Sequence, residues 1–85
     1  MNSKVVITLP NGETWTDESI ETSYGDESLA EAVQVLRSRE VSESVISDLV
    51  DQIREEHVQN GELNLTPDTT WKAAAEGVTL EITAS

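Results

Sequence analysis

The apolar residues of this chain switch between a strand period and a helical period along its 85 residues. Val5, Ile7 and Leu9 alternate with Val6 and Thr8, the two-residue period of a strand over residues 4–9. From Leu29 the period becomes helical. Leu29, Ala32, Val33 and Leu36 share one helix face, and Ile46, Leu49, Val50, Ile53 and His57 share the face of a second helix. Beyond Gly77 the two-residue period returns, with Val78, Leu80 and Ile82 set against Thr79, Glu81 and Thr83. Each element therefore has one face to bury. The natural solution is an α+β fold in two layers, a mostly antiparallel sheet of about four strands with one face covered by two helices.

Turn and cap residues divide the chain further. Pro10-Asn11-Gly12-Glu13 predicts a hairpin, because Asn and Gly tolerate positive φ. Residues 14–16 form its return strand, with Trp15 facing the core or its rim. Residues 17–25 read as a loop anchored by Tyr24, or as an extension of that strand through Ile20 and Thr22. The first helix starts at Asp26 or Ser28, and Ser28 and Glu31 have the spacing of a capping box. Arg37 and Arg39 lie in its last turn, where positive charge suits the helix C-terminus. After a break at Glu40-Val41-Ser42, Ser42 or Ser44 caps the second helix. Asn60-Gly61 ends it, with Gly61 at the left-handed position after the last turn. Residues 62–66 alternate again, with Leu63 and Leu65 inward, and Pro67-Asp68 turns the chain. Thr69 or Thr70 then caps a short helix through Trp71, Ala73, Ala74 and Ala75, stopped by Gly77. The predicted order is β-β-α-α-β-β with this short helix before the last strand, in one domain over residues 1–85.

Charge narrows what the domain can bind. Seventeen acidic and five basic residues give a formal net charge of -12. Self-repulsion of that size destabilises a compact state, so a reason for it is expected. Direct nucleic-acid binding is disfavoured, because the phosphate contribution to affinity would be repulsive. Anionic membrane surfaces are disfavoured on the same ground. The N-terminal segment lacks the basic start and apolar centre of a signal peptide, and the longest fully apolar stretches are three residues, so a cytoplasmic location is expected.

Catalytic chemistry finds no foothold in the residue pattern. Without cysteine there is no disulfide, thiolate metal site or cysteine nucleophile. His57, the one histidine, falls at the end of an apolar stripe and reads as a boundary residue covering the core. Zinc needs three or four ligands of a kind this chain does not group together. The serines sit at helix starts and loops, where capping accounts for them. Neither Gly25-Asp26-Glu27 nor Asp17-Glu18 reproduces a calcium loop. No enzyme activity, cofactor or metal is expected.

The candidate site is the outward face of the second helix. At 100° per residue, Asp48, Asp51 and Glu55 fall within about 60° of one another, opposite the apolar stripe. Glu40 and Glu43 add charge at its start, and Arg54 lies to its side. Trp15 and Trp71 are candidate apolar anchors, since Trp is enriched at binding hot spots. The same carboxylates also fit a plain solvated face of an acidic protein.

The function expected is that of a small acidic inhibitor or adaptor that occupies a basic protein surface, one built for nucleic acid, with imitation of phosphates as the mechanism. Small viral and mobile-element proteins that block host-defence nucleases share this size and charge, a likeness of type carried by no motif. The alternative is a structural or assembly protein whose acidic surface reflects solubility or high salt. Glutamate outnumbers aspartate 12 to 5, which weighs mildly against salt adaptation.

Overall fold

The computed structural model describes residues 1–59, 61–67 and 69–84. Strand β1 (Asn2–Thr8) and strand β2 (Thr14–Glu21) form a hairpin, followed by helix α1 (Asp26–Ser38) and helix α2 (Glu43–His57). Two very short strands, β3 (Val58–Gln59) and β4 (Glu62–Leu63), pair with each other. Strands β5 (Thr70–Ala75) and β6 (Val78–Ala84) close the chain as a second hairpin. The main sheet has the order β2-β1-β6-β5 with every neighbour antiparallel. Both helices lie on one of its faces, α1 over the β2-β1-β6 side and α2 over β5. This is the expected α+β architecture.

The pleat decides which side chains reach the helices. Val5 and Ile7 of β1, Trp71 and Ala73 of β5, and Val78, Leu80, Ile82 and Ala84 of β6 are buried on the helical side. From the helices, Leu29, Ala32 and Leu36 meet them, with Val45, Ile46, Leu49 and Ile53. The opposite face of the sheet has no helical cover and carries Lys4, Val6, Thr8, Lys72, Thr79 and Glu81. Each fully buried Leu or Ile contributes about 1.5–3 kcal/mol, so this single cluster carries most of the stability.

Strand β2 continues five residues beyond the 14–16 segment, so the loop reading of 17–25 fails over residues 17–21 and the alternative through Ile20 holds. The register shifts between Ser3 and Val5, where the Asp17 carboxylate accepts from the backbone N–H and the hydroxyl of Ser19. That bulge lets a polar segment remain in the ladder. The β1–β2 turn forms where expected, but by a different device. Only Gly12 takes positive φ, while Asn11 uses its side chain to accept from the Glu13 N–H at 2.9 Å.

Trp71 to Ala75 form a strand, not a short helix. Alanine favours helix locally, yet Trp71, Ala73 and Ala75 point inward and Lys72 and Ala74 outward, and β6 supplies a full ladder of partners. The two-residue turn Glu76-Gly77, with both residues left-handed, joins the strands in the manner of a type I′ hairpin. The 62–66 segment departs too. Only Glu62 and Leu63 pair, and they pair with β3, outside the main sheet. Leu65 is buried and its N–H donates to the Tyr24 carbonyl at 2.9 Å. Asn60 and Asp68, and with them the Asn60-Gly61 stop and the Pro67-Asp68 turn, lie outside the described residues. Helix α2 gives way to extended backbone at Val58, so Gly61, though left-handed, does not follow its last turn.

The two helices start by different devices. Ser42 caps α2, its side chain accepting from the Val45 N–H. At α1 the predicted capping box is absent. The helix begins at Asp26 behind a left-handed Gly25, so Ser28 is already inside the first turn and points into the core. There its hydroxyl meets the hydroxyl of Ser3. Thr22 organises the start instead. Its Oγ1 accepts from the Gly25 N–H at 2.7 Å and donates to Glu27 Oε2 at 2.6 Å. The second bond is the main reason the Glu27 carboxyl is held below the ordinary glutamate range.

Candidate functional site

Helix α2 positions the acidic face by burying its opposite side. Val45, Ile46, Leu49 and Ile53 are fixed in the core, which leaves Asp48, Asp51 and Glu55 exposed on the outward side. A second constraint fixes the helix against the sheet edge. Gln52 Nε2 donates to the Ala74 carbonyl at 2.8 Å, and Gln52 Oε1 accepts from the Ala74 N–H at 3.1 Å. Rotation of α2 about its axis would break both bonds, so the direction of the carboxylates is set by the core and by the β5 edge together.

Asp48 accepts a long bond from Gln52 Nε2 at 3.4 Å. Among the described residues, none of Asp48, Asp51 and Glu55 forms an ion pair. Three of the five cations are engaged elsewhere, Lys4 with Glu18, Arg37 with Glu43 and Arg39 with Glu13, while Arg54, to the side of the ridge, and Lys72 form no ion pair among the described residues. Asp51 and Glu55 stand one helical turn apart, about 6 Å along the axis, and Asp48 precedes Asp51 by about 4.5 Å.

The remaining predicted site residues do not join this ridge. Glu43 turns toward α1, where its Oε1 accepts from Arg37 Nε at 2.7 Å. Glu40 stands in the α1–α2 connection with φ of 62°. It occupies the left-handed position of a Schellman turn, in which Val41 N–H donates to the Leu36 carbonyl and Glu40 N–H to the Arg37 carbonyl, both at 3.0 Å. The ridge is therefore three carboxylates, not five.

Neither tryptophan is an anchor beside it. Trp71 is 0% exposed and belongs to the core, which corrects its assignment as a contact residue. The edge of its six-membered ring fills the space beside Gly25 that a side chain there would need, and among the described residues its Nε1 has no hydrogen-bond partner. Trp15 is half-buried opposite Ile7 on β2. Three strand spacings, about 14 Å, separate β2 from the β5 edge over which α2 lies. His57 is the boundary residue expected, its ring centroid 5.9 Å from that of Trp71.

Among the described residues no group of His, Asp and Glu is placed to hold a metal ion, and no helix is long and apolar enough to cross a membrane. What the sequence did not reveal is a groove between the two helices. Asp26, Ala30, Val33 and Arg37 line it from α1, and Val50 and Arg54 from α2. The spacing of three and four residues on α1 was visible as Ala30, Val33 and Arg37. It gave no signal, because a half-buried helix flank has the same pattern as a covered one. No protein-family model matches the chain, and no curated protein or solved structure is significantly similar to it.

Proposed function

We propose that this protein is a small acidic binding module, an inhibitor or adaptor that seats the outward face of α2 on a basic surface of a partner complex. The observation that carries the reading is that Asp48, Asp51 and Glu55 form no ion pair, among the described residues, on a helix held in place by both the core and Gln52. Three carboxylates in one line, without interleaved cations, repeat along the helix at a spacing comparable to that of phosphates along a strand. A surface built for nucleic acid, such as the channel of a defence nuclease, is therefore the partner class that fits best. The net charge of -12 would speed encounter with it, and contact at the ridge would fix the orientation. The setting proposed is cytoplasmic, and the role is binding without catalysis.

The test begins with affinity purification from the source cells and identification of the partner. Changing Asp48, Asp51 and Glu55 together to Asn, Asn and Gln is expected to leave the fold intact and weaken that partner at least about tenfold, the equivalent of 1.4 kcal/mol. Unchanged affinity would remove the ridge from the reading. A protein that unfolds in dilute buffer and gains stability steeply toward molar salt would favour adaptation to salt instead.

A further inference from the structure

The groove between α1 and α2 is chemically unlike the rest of the surface. It encloses about 620 Å³, and its apolar lining comes from Leu29, Val33, Val50 and Leu63. The Arg37–Glu43 pair closes one end, and the bond from Leu65 N–H to the Tyr24 carbonyl ties the segment after α2 to the start of α1 at the other. Two of the five basic residues of the chain line this one groove, against one carboxylate, that of Asp26 at the start of α1. Arg37 stands at the connection end and spends its Nε on Glu43, which leaves its terminal nitrogens to donate. Arg54 stands toward the opposite end and makes no ion pair among the described residues. At that end the apolar surface continues onto Val58, 43% exposed, and Tyr24, 61% exposed. Tyrosine, arginine and aliphatic floor are the composition of an interface centre, whereas an acidic solvated surface has none of the three in excess.

We propose that this groove is a binding site separate from the acidic ridge, and that it takes an apolar peptide segment of a partner protein with carboxylates at both flanks. The length from Asp26 to Arg37 is about 16 Å, which suits three turns of helix or five extended residues. Leu29, Val33 and Val50 receive the apolar centre. The guanidiniums of Arg54 and Arg37 receive the flanking carboxylates, each able to offer two parallel N–H donors. A fatty carboxylate has one headgroup and would leave one guanidinium without a partner, so two cations at opposite ends favour a peptide. The overall charge opposes such a ligand at long range. That opposition is screened beyond about 8 Å at physiological ionic strength, so recognition takes place at contact distance. The site does not depend on the ridge, since Arg54 stands between Val50 and the carboxylates of Asp51 and Glu55 on the helix surface.

The probe is a short synthetic peptide with a leucine-rich centre and a glutamate pair at each end, titrated into the 15N-labelled full chain. Amide shifts centred on Ala30, Val33, Val50 and Arg54 are expected. Arg54→Glu, with its fold checked by circular dichroism, is expected to weaken binding at least about tenfold, and Glu81→Gln, on the uncovered face of the sheet, to leave it unchanged. The proposal is overturned if a lysine-flanked version of the peptide binds as tightly, or if no groove amide shifts up to about 1 mM peptide, the weak end of specific binding. Laurate displacing the peptide at lower concentration would overturn it in favour of a lipid carboxylate. None of these outcomes bears on the ridge, which is read through Asp48, Asp51 and Glu55.

Discussion

The side-chain amide of Gln52 pairs with the backbone of Ala74 as a neighbouring strand would. Its Nε2 donates to the Ala74 carbonyl at 2.8 Å and its Oε1 accepts from the Ala74 N–H at 3.1 Å. Strand β5 is an edge of the sheet, and Ala74 faces Thr79 in a pair whose hydrogen-bonding groups point away from β6. An open edge is a template for pairing with another chain. Gln52 closes this one at its centre. Replacement by Ala is expected to cost about 1 kcal/mol, since water takes over part of both bonds. It is also expected to raise self-association at high concentration. Urea unfolding measures the first and sedimentation velocity the second. Gln52→Glu, which can no longer donate to the carbonyl, should behave worse than the Ala variant in both.

Of the four glycines, Gly25 is the one where a side chain would fit least. Its φ of 97° is one that side chains rarely adopt, and an added Cβ would overlap the Trp71 ring and come to 2.8 Å from Leu65 Cβ. The strain and the overpacking act together, so Gly25→Ala is expected to cost about 2–5 kcal/mol. Gly61, at φ 77° with nothing within 4 Å of such a Cβ, should lose only about 1–2 kcal/mol on the same change. Equal losses in chemical denaturation would show that backbone strain alone matters at Gly25.

Glu40 holds the position at which helices most often carry glycine. Glu40→Gly should therefore stabilise the protein by about 0.5–1 kcal/mol, with relief of the left-handed strain set against greater freedom in the unfolded chain. Because Glu40 stands off the α2 ridge, the same variant should keep its affinity for a basic partner. A raised midpoint in urea with unchanged binding is the expected pair of results.

Glu27 gives stability a pH dependence of known direction. The bond from Thr22 Oγ1 holds its carboxyl below the ordinary value in the folded state. A lowered folded-state pKa means that the unfolded chain binds the proton more readily. The contribution is full above the ordinary glutamate pKa of about 4.3 and fades as pH falls through the lower folded-state value. Glu27→Gln removes this dependence. Thermal unfolding of both proteins from neutral to acid pH should show the wild type ahead at neutral pH and the difference closing below about pH 4. A constant difference across that range would remove Glu27 from the acid response.

Much of the fold was readable because burial in a two-layer domain leaves a periodic trace. Val5 and Ile7, Leu49 and Ile53, Leu80 and Ile82 each declare their element and its inward face. Errors fell where local and long-range preferences disagree. Trp71 to Ala75 carry helix-forming alanines, and only the ladder to β6 makes them a strand. Ser28 matches a cap by spacing, yet it turns inward to Ser3, and Thr22 holds the start of the helix through Gly25 N–H and Glu27 instead. At the candidate site, helical geometry was enough to align Asp48, Asp51 and Glu55. It was not enough to exclude Glu43, whose partner Arg37 lies on the other helix, or Trp71, whose burial depends on Gly25 and Leu65.

By itself, the sequence determined the class of fold, the inward face of each long element and the acidic face of α2. These follow from period and charge, which act within a few residues of one another. Only the tertiary structure decided which carboxylates keep company, that Gln52 guards the β5 edge, and that Arg37 and Arg54 line one apolar groove. Each of those relations joins residues far apart in the chain, and no local pattern records which two surfaces the packing will bring together.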